Sequence, residues 1–180
     1  MKKNLSTEIE IPSGITITIN EDTVVAKGPA GEATKKFNFG RLDSQIKDNK
    51  FILECDKATK TEKKMMNTIE AHIRNMVQGA GEQFIYELKI CFGHFPFTIK
   101  KEGNKAIIKN FLGEKVDRSV TLMEGTEVDI GKEIIIVKSS NKELAGQTAA
   151  NFEAATKIRG RDTRIFQDGV YITKKNGKEM

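Results

Sequence analysis

Sulfur, histidine and long apolar runs are all scarce in this chain of 180 residues. It holds two Cys, two His and no Trp. Two thiols, Cys55 and Cys91, are too few for a disulfide scaffold and point to a reducing compartment. No stretch approaches the roughly 18 apolar residues of a membrane span. The first residues lead into Glu8 and Glu10 rather than an apolar core, so no signal peptide is expected. The two Cys and two His (Cys55, His72, Cys91, His94) follow no zinc spacing. Glycine pairs occur in Lys27-Gly-Pro-Ala-Gly31 and Gln78-Gly-Ala-Gly81, but the dinucleotide fingerprint and the phosphate-loop lysine are absent, so a turn and a helix stop account for them. Neither a metal nor a cofactor is expected.

Charge is plentiful and unevenly placed. Thirty Lys and Arg oppose 25 Asp and Glu, a net of +5. Residues 1–156 are almost neutral. Residues 157–180 carry Lys157, Arg159, Arg161, Arg164, Lys174, Lys175 and Lys178 against Asp162, Asp168 and Glu179, a local net of +4. A neutral body with a basic end indicates a polyanionic partner gripped from that end.

An internal repeat organises the rest. Thr16-Ile17 recurs 82 residues later as Thr98-Ile99, Lys27 as Lys109, and Gly31-Glu32 as Gly113-Glu114. Ile15 to Ile19 alternates apolar and polar residues as a half-buried strand does. The turn-like Asn20-Glu21-Asp22 is answered by Glu102-Gly103-Asn104, and Phe51-Ile52-Leu53 by Ile134-Ile135-Ile136 at an offset of 83. Thr59-x-x-Glu62 and Ser140-x-x-Glu143 each fit a capping box ahead of a helix. Apolar stripes follow, Met65, Ile69, Ile73, Met76 and Ala80 in one helix and Ala145, Ala149, Phe152 and Ala155 in the other, with Gly79 and Gly81 as a stop and joint after the first. A period this long exceeds that of solenoids and fits a tandem domain duplication. The predicted fold is α+β: two copies of a small antiparallel sheet with one helix on a face, residues 1–82 and 83–157, then a basic extension, 158–180, anchored by Phe166, Val170 and Ile172.

Catalysis has one weak candidate. Cys91-Phe-Gly-His94 sets a thiol near a base, but Cys91 closes a strand-like run and is expected to pack. The arginines do better. In an extended segment Arg159 and Arg161 point the same way, and guanidinium forks suit successive phosphates. No helix looks like a DNA-groove reader, and RNA gripped by its backbone shape needs none. A free-standing adaptor whose tail holds another polyanion or an acidic protein is the alternative.

Several segments carry a family likeness: Ile11-Pro12, Lys27-Gly-Pro-Ala-Gly31, Asn75-Met-Val-x-Gly79, His94-Phe-Pro96, Ile108-Lys-Asn-Phe-Leu-Gly-Glu-Lys115, Lys157, and Asp162-Thr-Arg-Ile-Phe-Gln-Asp-Gly-Val-Tyr171. In this order they resemble the large-subunit ribosomal protein L-six family, in its archaeal and eukaryotic form. The resemblance implies a non-enzymatic constituent of cytoplasmic ribosomes. It further implies binding of large-subunit ribosomal RNA through the second domain and the C-terminal extension, near the stalk base and the sarcin–ricin loop where translational GTPases dock. Neighbouring ribosomal proteins would be the other partners, with no membrane and no DNA. Carried onto this chain, the RNA-binding candidates are Lys109, Asn110, Lys115 and Arg118, then Lys157, Arg159, Arg161 and Arg164, with Lys174 and Lys175 beyond the last matched motif. Phe111 could stack on a base or pack in its hairpin, and packing is favoured.

Overall fold

Alternation of apolar and polar residues builds the same strand ladder twice in the computed structural model, which describes residues 3–180. Met1 and Lys2, at the head of the first expected repeat and of the segment where no signal peptide is expected, lie outside the described residues. The chain divides into two compact units, the first ending at Gln83 and the second spanning Phe84–Met180.

In the first unit, β1 (Lys3–Glu10) and β5 (Asp43–Lys47) flank β6 (Lys50–Ala58) in one antiparallel sheet. β2 (Thr16–Asn20), β3 (Thr23–Gly28) and β4 (Gly31–Lys36) form a second. Helix α1 (Lys60–Gly81) packs its buried residues Met66, Ile69, Ile73, Met76, Val77 and Ala80 into the shared core, with Val24, Phe51 and Leu53 completely buried there. Thr59 caps α1, and Glu62 reaches back to the Thr59 amide and hydroxyl. That reciprocal bonding holds the Glu62 carboxyl below its ordinary range, the threonine hydroxyl contributing most.

The helix does not stop at Gly79. It runs through Gly81, and its end meets the other glycine segment. Ala30 donates its amide to the Ala80 carbonyl at 2.9 Å, and a Cβ on Gly28 would lie 2.4 Å from that same oxygen. Gly28 is therefore required by the closeness of two backbones rather than by a phosphate.

The second unit repeats this plan. β7 (Phe84–Cys91), β12 (Ile134–Ser139) and β11 (Glu127–Ile130) correspond to β1, β6 and β5, while β8 (Thr98–Glu102), β9 (Lys105–Lys109) and β10 (Arg118–Thr121) correspond to β2, β3 and β4. Helix α2 (Lys142–Ala155) buries Ala145, Thr148, Ala149 and Phe152. The repeat reaches the level of register: Thr16 faces Lys27 across one hairpin, and Thr98 faces Lys109 across the other. Each unit thus carries two antiparallel sheets around its helix, where a single small sheet was expected.

Three local differences have physical causes. Ile135 and Val137 point inward as Phe51 and Leu53 do, so β12 matches β6 at an offset of 84; an odd slip would put opposite faces together. The cap of α2 is Asn141, not Ser140: its Oδ1 accepts from the Glu143 amide at 2.9 Å, while Ser139 Oγ accepts from the Asn141 amide. Finally, residues 158–180 are built into the second unit. β13 (Gly169–Lys175) pairs antiparallel with the edge of β7 that the first unit leaves open on β1, and β14 (Lys178–Glu179) follows it. Val170 is buried opposite Ile90, and Ile172 lies opposite Leu88. Strand-forming residues 169–173 supply what an exposed β7 edge needs, a partner for its unpaired amides and carbonyls.

Candidate nucleic-acid interface

Arg118, Lys157 and Arg159 line one depression at the end of α2, and Arg161 and Arg164 follow in the loop that leads from it to β13. Arg118, at the start of β10, organises this region. Its Nη1 donates to the carbonyls of Ala155 at 2.8 Å and Lys157 at 3.2 Å, and its Nε and Nη2 grip the Glu114 carboxylate at 2.8 and 2.5 Å. The guanidinium carbon also lies 4.4 Å from the centroid of the Phe111 ring. Only 24% of its side chain is exposed. Carbonyls left over at a helix C-terminus carry partial negative charge, and Arg118 neutralises it where no basic residue of the last turn does. This arginine, expected as an RNA ligand, positions the loop from within the protein. The hydrogen bonds from Arg118 hold the Glu114 carboxyl below its ordinary range, helped by the fields of Arg118 and Arg161.

The Asn110 segment is similarly shaped from inside. Asn110 has a left-handed backbone (φ 62°) and its side-chain amide donates to the Pro96 carbonyl at 3.0 Å. Phe111 is buried and meets Phe97 edge-on at 5.2 Å. The ring packs in the core, as favoured from sequence. Lys109 is half exposed, with a long 3.7 Å approach to Asp117, and Lys115 is exposed.

Beyond α2, Lys157, Arg159, Arg161 and Arg164 are all exposed. Arg164 is 90% exposed and reaches Asp162 only at 3.4 Å. Arg161 lies over the Phe166 ring, 4.9 Å from its centroid. His94 stacks on that ring at 4.6 Å, and its Nδ1 is 3.1 Å from Oδ2 of Asp168. Asp168 is 2% exposed, and its Oδ1 accepts from the Gly93 amide. The His94–Asp168 pair clasps the arginine loop to the end of β7. Nothing in the local sequence pattern marks it, because its partners lie 74 residues apart. His94 Nδ1 is engaged by this carboxylate, and among the described residues no hydrogen bond joins His94 to Cys91.

Lys174 and Lys175 stand apart. They lie opposite Glu87 and Tyr86, at the far end of β13 from Gly169, roughly 20 Å along the strand. Lys174 pairs with Glu87 at 3.1 Å. No group of three His, Cys, Asp or Glu among the described residues could hold a metal ion. No described helix is long and apolar enough to cross a membrane.

Comparison with known proteins shows the family. The family model described as "Ribosomal protein L6" matches residues 11–82 and 95–169, one segment in each unit. The chain belongs to the ribosomal protein L6 family. Among its relatives, the large ribosomal subunit protein uL6 of Methanococcus vannielii is 44% identical over 96% of this chain and 95% of its own. That of Methanobrevibacter smithii is 42% identical, over 93% and 94% respectively. The uL6 of Methanosarcina mazei is 37% identical over 97% of this chain and 99% of its own. A ribosomal protein of this family is a structural component and not an enzyme, so the thiol-enzyme and free-adaptor readings fall away. The matched segments end at Gly169, so the family signature includes the arginine loop and stops where β13 begins.

Proposed function

We propose that this chain is a structural constituent of the large subunit of cytoplasmic ribosomes, and that its second unit grips large-subunit ribosomal RNA through the loop between α2 and β13. The reading rests chiefly on the outward set of the loop's arginines, with Arg164 nearly fully exposed. Lys109, Lys115, Lys157, Arg159, Arg161 and Arg164 are the phosphate ligands. Asn110 and Arg118 shape the surface on which they stand. Lys174 and Lys175 serve a separate, peripheral contact. The family resemblance supports the reading that the bound RNA lies near the stalk base and the sarcin–ricin loop, beside other large-subunit proteins and close to the docking site of translational GTPases.

The mechanism is assembly rather than turnover. Cations fixed on a folded frame displace counterions condensed on RNA, and the frame's spacing selects an RNA shape. About six phosphate contacts give a slope of log affinity against log salt of about −4 to −5. Arg161→Ala combined with Arg164→Ala removes two of them. The slope should become shallower by about 1.5, with thermal unfolding almost unchanged, as filter binding to large-subunit RNA and calorimetry would report. An unaltered slope in the double variant counts against these contacts.

A further inference from the structure

Two adjoining depressions flank the exposed Ala154 at the end of α2. One, of about 390 Å³, is lined by Arg118, Lys157 and Arg159. The other, of about 540 Å³, has mainly apolar walls from Ile158, Phe166, Val170 and Tyr171, with Glu153 among them. Ala154 and Lys157 belong to both. A cationic hollow beside an apolar one matches the two halves of a nucleotide, phosphate and base.

The polar groups of the larger hollow narrow the ligand further. Thr156 Oγ1 is spent, accepting from the Val170 amide and donating to the Phe152 carbonyl. Tyr171 donates its hydroxyl to the Gln167 carbonyl, which fixes the ring as a wall. Glu153 Oε1 accepts from the Ile172 amide at 2.9 Å, leaving Oε2 to accept from a ligand. A carboxylate repels phosphate and accepts readily from an exocyclic amine, whereas the single N3–H donor of uracil sits between two carbonyls that the same carboxylate repels. Resting on the RNA-binding reading above, we propose that the Glu153 hollow receives one unstacked, amino-bearing base (cytosine, adenine or guanine, not uracil) while its phosphate lies against Lys157 and Arg159. Arg161, held over Phe166, offers a guanidinium plane for a neighbouring base.

The sign of one substitution separates this from plain electrostatics. Glu153→Gln keeps an oxygen for the Ile172 amide and deletes a negative charge from an RNA-facing surface. Charge alone predicts binding as tight or tighter. The base hollow predicts affinity for large-subunit RNA about five- to tenfold weaker, with the salt slope unchanged because no phosphate contact is lost. Affinity equal to or above wild type overturns the base site while leaving the basic face standing. A wild-type chain that binds this RNA without salt dependence refutes the basic face instead. Wild-type amide spectra titrated with CMP, UMP and inorganic phosphate decide the matter without any variant. CMP should shift the amides of Lys157, Ile158 and Val170 at several-fold lower concentration than UMP, and equal responses to CMP, UMP and phosphate overturn the proposal.

Discussion

Replacing Arg118 with alanine removes a guanidinium that serves four partners at once. The Ala155 and Lys157 carbonyls lose charge-assisted hydrogen bonds, of a kind worth about 1.5–3 kcal/mol each when shielded from water. Partial exposure of the side chain places these at the lower end. The contact with Phe111 contributes about 0.5–1 kcal/mol. The Glu114 pair is near the surface and adds less than about 1 kcal/mol. Together they make the second unit about 4 kcal/mol less stable, which lowers its urea midpoint by about 2–2.5 M for a unit of this size. Because the chain has two units, denaturation should be followed with probes in each; the first-unit transition should not move. RNA affinity should fall too, because the Lys157–Arg164 loop loses its tether. Arg118→Lys should restore little, since an ammonium cannot reproduce the fork across two carbonyls and a carboxylate. Unchanged stability in Arg118→Ala with a salt slope shallower by just under 1 would make Arg118 a direct phosphate ligand and refute the tethering argument.

Other outcomes test neighbouring claims. Glu114 titrates below its ordinary value in the folded chain, so the stabilisation it gives is full above the usual glutamate range and is lost as pH falls through the lowered folded value. Urea midpoints of wild type and Glu114→Gln should therefore differ at pH 6 and converge toward pH 3; a constant gap would argue against the linkage. Gly28→Ala drives a methyl group into the Ala80 carbonyl, and should destabilise the first unit by about 2–3 kcal/mol while the second unit's transition stays put in the same denaturation experiment.

Periodicity made the duplication readable. The β2–β3 and β8–β9 hairpins share a register because the residues pairing within each keep one spacing, and that spacing is visible along the chain. Phase was harder: a run of three isoleucines, Ile134–Ile136, has no polar residue to mark which side faces inward, and the one-residue error in matching it to β6 follows from that. The Asn141 cap was hidden by an adjacent serine that also fits the pattern. At the interface, sequence located the cations but not their direction. Arg118 and Arg164 are equal as letters, yet one is turned inward onto carbonyls and the other is left in solvent. The Asp168 carboxylate raised no expectation, because its value lies in a histidine 74 residues away.

Strand β13 borders β7, and the arginine loop is strung between α2 and that strand. Closing this ladder joins positions some eighty residues apart, so during synthesis β7 must wait, its edge uncovered, until Val170 to Lys175 has left the tunnel. The loop cannot take its final shape before the strand docks. Maturation of the second unit and, on the proposed reading, the onset of its grip on RNA are thereby fused into one event.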